Sequence, residues 1–199
     1  MSSMSGLDHG ATTLVLRSKS KINYQGMSLM LSQICGGPFF DYVYVPWPKL
    51  AVVNFISHEI CQAAYIWLSC MESMQSYGLR SVKQAVFQGL AANLALFCSK
   101  SGYKAILEPG APQVFANGAP VPLPLAVSIY LANLDDIDID VQGQSKQALY
   151  YESGKREACQ FLRMAREGPE ACHFHRMARG SQGPEAMSAF ELEHTVWSL

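Results

Sequence analysis

The stretch FFDYVYVPWPKLAVVNFIS, Phe39 to Ser57, decides the fold, because two runs of strand-forming residues flank the tripeptide Trp47-Pro48-Lys49. Aromatic and β-branched residues favour strands, and a proline-containing break between two such runs is typical of a turn. Successive side chains of a strand point to opposite faces of its sheet. The pattern therefore predicts a β-hairpin whose core-facing residues are Val43, Val45, Ala51, Val53 and Phe55.

The opposite face of this hairpin is predicted to be unusual, because its aromatic residues lie on the first strand. Tyr42, Tyr44 and Phe40 alternate with the core residues there. The second strand offers only Leu50, Val52 and Asn54 to the same face.

Further elements are predicted on both sides of the hairpin. TTLVLRS (12–18) is predicted to be a strand, and apolar residues at helical spacing predict helices over residues 24–34 and after the N-cap Ser57. LRSVKQAVF is a weaker fourth strand, and QGLAANLALFCSK is an appended helix. The order is β-α-β-β-α-β, the ferredoxin-like arrangement. The predicted core includes Met30, Ile34, Val53, Phe55, Ala64 and Trp67.

Length and composition indicate a soluble globular protein. The chain has 199 residues, 49% of them hydrophobic, which suffices for one sizeable core. No apolar run reaches the length of a membrane helix, and the polar N-terminus does not resemble a secretion signal. The six cysteines contain no C-x-x-C pair, so we expect free thiols and an intracellular location, in the nucleus or the cytoplasm.

Charge is unevenly distributed along the chain. Residues 1–100 carry seven Lys or Arg against four Asp or Glu, a balance of +3, while residues 101–199 carry eight against twelve, a balance of −4. Neither half has the strong basic surplus of a histone-like protein. Any affinity for nucleic acid must come from a local patch.

The chain divides into four predicted regions. Residues 1–11 are a disordered N-terminus, and residues 12–99 are the βαββαβ domain with its appended helix. Residues 100–151 are a Pro-rich extended connector, docked through Val114, Phe115 and Val121, followed by an acidic β-like segment. Residues 152–199 are a mobile or marginally helical tail with a short duplication, RMAREGPEA and RMARGSQGPEA.

Several pieces together resemble one known family. TTLVLRS, NYQ, FDYVYVP, VNF and FQGLAAN occur in the order in which similar pieces occur in the C-terminal RNA recognition motif (RRM) of Mei2-like proteins. The resemblance covers residues 12–97, and ANGAPVPLP is similar to the segment after that domain in some relatives. It implies an α+β RRM sandwich, with a four-stranded antiparallel sheet backed by two helices, and single-stranded RNA binding on the sheet face.

The family's stacking positions do not carry aromatic residues in this chain. When the third-strand octamer of an RRM is placed with its end on VNF, its two stacking positions fall on Leu50 and Val52. The first-strand position falls on Val15, and the family's fourth-strand Tyr and Arg become Gln84 and Val86. The β2–β3 connection has also lost the family's longer basic loop. The member is therefore degenerate, and we expect the second strand to carry any stacking.

The candidate RNA-binding residues surround this altered face. Tyr42 and Tyr44 either stack on bases or lie covered by the connector or the appended helix, and Trp47 is either a platform or an ordinary turn residue. The full candidate set is Arg17, Tyr42, Tyr44, Trp47, Lys49, Leu50, Val52 and Lys83.

Metal and catalytic sites are not expected. Asp136, Asp138 and Asp140 match the start of an EF-hand loop, but Val141 and Gln147 stand where Gly and Glu are required. Cys172 to His175 has no zinc-finger spacing, and no catalytic motif is present, so we predict neither a cofactor nor an enzyme. Two functions remain: an RNA-binding module, or a pseudo-RRM whose aliphatic sheet face binds a protein partner or its own C-terminal segment.

Overall fold

The computed structural model describes residues 6–35, 37, 39–132 and 145–167, which contain both strands and helices. Its strands are β1 (Thr13–Ser18), β2 (Phe40–Trp47), β3 (Leu50–Phe55), β4 (Leu79–Gln84), β5 (Gln113–Ala116) and β6 (Ala119–Val121). Its α-helices are α1 (Tyr24–Cys35), α2 (His58–Ser69), α3 (Met71–Ser76), α4 (Leu90–Ser101), α5 (Leu123–Val127) and α6 (Ser145–Glu167). Two short helical turns lie at Tyr103–Leu107 and Ser128–Ala132.

All six strands form one antiparallel sheet in the order β4-β1-β3-β2-β5-β6. The predicted α+β class is confirmed. The predicted count of four strands is wrong, because β5 and β6 extend the sheet beyond β2.

The predicted core face of the central hairpin is confirmed at Val43, Ala51, Val53 and Phe55. Phe40, predicted on the opposite face, also lies in this core, because the β2–β3 pairing shifts between Phe40 and Tyr42. Val43 pairs with Val53, and both are fully buried together with Leu14 of β1. Ala51 and Phe55 are buried on the same face, as strand alternation requires. Burying this aliphatic surface is the main favourable term in folding, at about 25 cal/mol per Å².

Helices α1 and α2 cover this core face. α1 contributes Met27, Met30 and Leu31, as its helical spacing predicts, with Ile34 partly buried beside them. The core residues of α2 are Cys61, Ala64 and Leu68.

The predicted core position of Trp67 is wrong, because its side chain is 40% exposed. α2 is apolar on nearly every side. The spacing of its apolar residues therefore did not fix which side faces the sheet.

The Pro-rich stretch is a β-hairpin and not the extended connector that composition predicts. Its two-residue turn is Asn117-Gly118, with φ of 49° and 80°. Positive φ at both positions is the type I′ geometry that Asn-Gly favours. The predicted docking of two residues is confirmed: Val114 is buried, and the Phe115 ring meets Phe40 edge-on with 5.2 Å between centroids.

The chain ends differ from the predicted regions where the structure describes them. Within the predicted disordered N-terminus, Ala11 is buried and Asp8 exchanges hydrogen bonds with Gln84, both of 2.8 Å. α6 runs continuously across the predicted boundary at residue 152. The chain divides into two units at residue 160, and the structure describes residues 160–167 of the second unit, as the end of α6.

Some predictions lie outside the described residues. These are the acidic segment with Asp136, Asp138 and Asp140, most of the duplication, and Cys172 to His175. Among the described residues, no group of His, Cys, Asp and Glu could hold a metal, and no helix has the length and apolar composition needed to cross a bilayer.

Candidate nucleic-acid interface

The face of the sheet opposite α1 and α2 is built from cross-strand rows. Residues directly opposite each other on antiparallel strands share a face, so the pairing register defines each row. Reading from β4 toward β2, the end row is Ser81, Arg17, Leu50 and Trp47, and the middle row is Lys83, Val15, Val52 and Tyr44. A covered row, Thr13, Asn54, Tyr42 and Val114, runs from β1 to β5.

Helix α4 lies over the covered row. Thr13, Asn54, Tyr42 and Val114 are each at most 2% exposed. On the helix, Leu94 and Cys98 are fully buried, and the ring of Phe97 meets the ring of Tyr44 edge-on at 5.3 Å. α4 thus closes one end of the sheet face as part of a second core.

A chain of polar side chains fixes α4 to three strands. Asn93 Nδ2 donates to Thr13 Oγ1 at 3.2 Å and to the Gly89 carbonyl at 2.7 Å. Thr13 Oγ1 donates to Asn54 Oδ1 at 2.7 Å, and Asn54 Nδ2 donates to Asp41 Oδ1, also at 2.7 Å. Buried polar groups are costly unless they are paired. These hydrogen bonds therefore fix the position of α4 on the sheet.

Asp41 is the last group in this series of hydrogen bonds, and it is poorly solvated. Burial raises the pKa of its carboxyl to about 6, while the hydrogen bond from Asn54 acts in the opposite direction. Burial likewise raises the pKa of the Cys98 thiol to about 12, with the Glu157 charge adding to the effect. Since thiolate reactivity requires deprotonation, Cys98 is a packing residue.

The first part of α6 packs on the outer side of α4. A Cβ placed on Gly154 would overlap the backbone of Ala95, so the two helices cross at very close range. Tyr150 contacts the Phe87 ring at 5.4 Å and lies 4.6 Å below the ammonium of Lys100. Glu157 accepts a hydrogen bond from the Tyr103 N–H. α4 is therefore held from both sides.

The end and middle rows are open except at Tyr44, which Phe97 covers on one side. Trp47 is 68% exposed, Arg17 and Lys83 are exposed, and Val15, Leu50 and Val52 are half-buried. The result is an aliphatic strip with two cations, Arg17 and Lys83, toward β4 and an indole at its β2 end. We call these two rows the open strip.

Loops converge beside the open strip and bring further cations there. Ser18 N–H donates to the Lys49 carbonyl, Lys19 N–H to the Gly78 carbonyl, and Ile22 N–H to the Pro48 carbonyl. Strands β1, β3 and β4 contain no Asp or Glu. The exposed cations of this end of the sheet are Arg17, Lys19, Lys21, Lys49, Arg80 and Lys83.

The structure divides the predicted site residues into three groups. Arg17, Trp47, Lys49, Leu50, Val52 and Lys83 lie in or beside the open strip. Tyr42 lies on the predicted face but under α4, where no ligand can reach its ring. Tyr44 stands at the border, half-buried against Phe97.

Cover of Tyr42 and Tyr44 by the appended helix was one of the two predicted alternatives, and for Tyr42 it is the one observed. Sequence reasoning did not identify the hydrogen-bonded polar side chains that place α4. Asn93 and Thr13 are 80 residues apart, so no local pattern links them. A weak signal is present in LAANLALF, which is more apolar than a helix with one solvated face needs to be. Comparison with known proteins adds no assignment: no protein-family model matches the chain, and no curated protein matches it significantly.

Proposed function

We propose that this chain is a degenerate Mei2-like RRM that binds single-stranded RNA on the open strip. The order and pairing of its first four strands, with β1 and β3 central and two helices on one face, support a ferredoxin-like origin. The observation that carries the proposal is the exposed cation cluster, without carboxylates on β1, β3 or β4, around an aliphatic strip that ends in Trp47.

The proposed binding mode divides the work between charge and stacking. Arg17, Lys83 and Lys49 contact phosphates, which gives affinity without sequence preference. A base stacks on Trp47, and Leu50 and Val52 offer apolar contact to its neighbour. Two short rows accommodate few nucleotides, so binding is weak and tolerates any sequence. The mode involves no catalysis and no cofactor, and it suits a protein of the nucleus or cytoplasm.

A second candidate is a pseudo-RRM that does not bind RNA. The observation in its favour is α4 itself, because Tyr42 is sealed beneath it and Phe97 occupies one side of Tyr44. On this alternative the chain's own helix α4 takes the place that RNA would occupy, and the aliphatic open strip binds a protein. The two candidates differ in their response to salt.

The deciding experiment is a titration of the full chain with fluorescently labelled single-stranded RNA pools about 12 nucleotides long, at about 50 and about 200 mM salt. RNA binding through phosphates predicts that log K falls with log salt by about 0.7 for each contact. Neutralising Arg17 and Lys83 together to Gln should reduce that slope. The control Lys104→Gln changes an exposed cation on another element and should not. Salt-independent binding, or none, supports the pseudo-RRM.

A further inference from the structure

The outward face of α2 is an exposed apolar stripe. Glu59, Gln62, Ala63, Ile66 and Trp67 are all exposed, and their spacing places them on one side of the helix. Ile66 is 59% exposed and Trp67 is 40% exposed. A surface helix normally has polar residues on this side, but α2 has only two there.

The stripe continues past the end of α2. The Trp67 ring contacts the Tyr77 ring, with 5.5 Å between centroids, which holds the indole in place. Met71, at the start of α3, is 75% exposed. Aromatic residues and Met are enriched in the centres of protein interfaces, whereas scattered single apolar residues are ordinary on a surface.

The Asp, Glu, Lys and Arg charges carried by α2 and α3 have one sign. Residues 50–79 contain no Lys or Arg, and their acids are Glu59 near one end of the stripe and Glu72 near the other. Both glutamates are exposed. An occupant with an apolar centre and cations at its edges would complement this surface, whereas an acidic one would be repelled.

The size of the stripe indicates the form of the occupant. A stable interface between two globular proteins buries about 800 Å² per partner. Ile66, Trp67 and Met71 offer too little apolar surface for that. They match the row of anchors that a single amphipathic helix uses when it docks.

We propose that the outward face of α2 docks a basic amphipathic helix of another protein, with Ile66 and Trp67 as anchors and Glu59 and Glu72 as charge partners. α2 packs on the core face of the sheet, so this surface lies on the layer opposite the open strip. The proposal is independent of RNA binding.

Two model peptides of about 14 residues test it with the full chain, one built from Leu and Lys and the other from Leu and Glu, with the same apolar face. Backbone amide shifts report where each peptide binds. The Leu/Lys peptide should shift the amides of α2, and the Leu/Glu peptide should bind that helix at least tenfold more weakly.

Variants decide whether the stripe itself is responsible. Ile66→Glu and Trp67→Ala should each reduce binding of the Leu/Lys peptide at least tenfold, while Leu107→Glu, at an exposed apolar residue elsewhere, should not. If Trp67→Ala disturbs the fold by removing the contact with Tyr77, Ile66→Glu alone provides the test. Equal binding of both peptides to α2, no binding, or shifts confined to other elements would overturn the proposal. Self-association of the chain that Ile66→Glu abolishes would also overturn it, since the occupant would then be a second copy.

Discussion

The ring of Phe97 on α4 stands edge-on to the ring of Tyr44 on β2, with 5.3 Å between their centroids and an angle of 75° between their planes. Phe97 is 4% exposed, so the helix after the βαββαβ segment is part of the folded core. Large aromatic side chains in such positions dominate packing energies.

Phe97→Ala is therefore expected to lower the free energy of unfolding by about 3 to 5 kcal/mol, as typical core Phe truncations do. Urea denaturation measures this. The matched variant Leu96→Ala, at a half-buried neighbour on the same helix, should cost clearly less. Equal losses for the two variants would mean that α4 does not use Phe97 as its anchor.

Trp47→Ala should weaken RNA binding by about 1 to 3 kcal/mol, because it removes the exposed indole on which a base would stack. Leu50→Ala should cost less, since Leu has no π-face. Tyr42→Phe keeps the buried ring and should leave affinity unchanged. Anisotropy titrations at constant salt measure all three. If Tyr42→Phe weakened RNA binding as much as Trp47→Ala, the covered row would have to take part in RNA binding.

Asp41→Asn should stabilise the fold at pH 7 to 8. The folded-state pKa is raised from 3.8 to about 6, so the folded state binds more protons than the unfolded state between these values. Stability is then lost as pH rises from about 4 to about 6, by at most about 3 kcal/mol for such a shift. Asparagine keeps an acceptor for Asn54 without the charge.

Urea denaturation from pH 4 to 8 checks this expectation. The parent should lose stability across that interval relative to the variant, and the two should converge near pH 4. Parallel stability curves would show that Asp41 is well solvated in the folded state.

Gly154→Ala should destabilise the protein, although alanine is normally the better helix residue by about 1 kcal/mol. The added Cβ would collide with the backbone of Ala95, which cannot move aside as a flexible side chain could. Thermal unfolding measures the change, and hydrogen exchange should show faster exchange in the first half of α6. Gly110→Ala, where the added Cβ meets nothing within 4 Å, is the control. If Gly154→Ala stabilised the protein instead, α4 and α6 would have to lie further apart than the structure shows.

The parts of this fold that sequence could predict are those with a local cause. Strand alternation fixed the faces of Val43 and Val53, and the apolar spacing of α1 fixed Met30. α2 has apolar residues all round, so spacing could not tell Leu68, which is buried, from Trp67, which is exposed. The packing of a helix onto a sheet depends on the whole tertiary structure, which no window of sequence contains.

The candidate site likewise combines features that have a local cause in the sequence with features that do not. Strand alternation predicted that Tyr42, Tyr44, Leu50 and Val52 share a sheet face, but it could not decide between stacking and cover by α4 for Tyr42, because the Thr13 to Asn93 contact that places α4 is non-local. The β5–β6 hairpin had a local signal in Asn117-Gly118, and composition outweighed it in the prediction of a connector.

Both margins of the sheet have features that disfavour pairing with another chain edge to edge. An exposed strand edge is a template for pairing with another chain. At one margin β6 is three residues long and its middle residue, Pro120, has no N–H to donate. At the other margin β4 carries the exposed cations Arg80 and Lys83, so identical edges would repel each other. Both margins of the sheet thus disfavour pairing with a seventh strand from a neighbour.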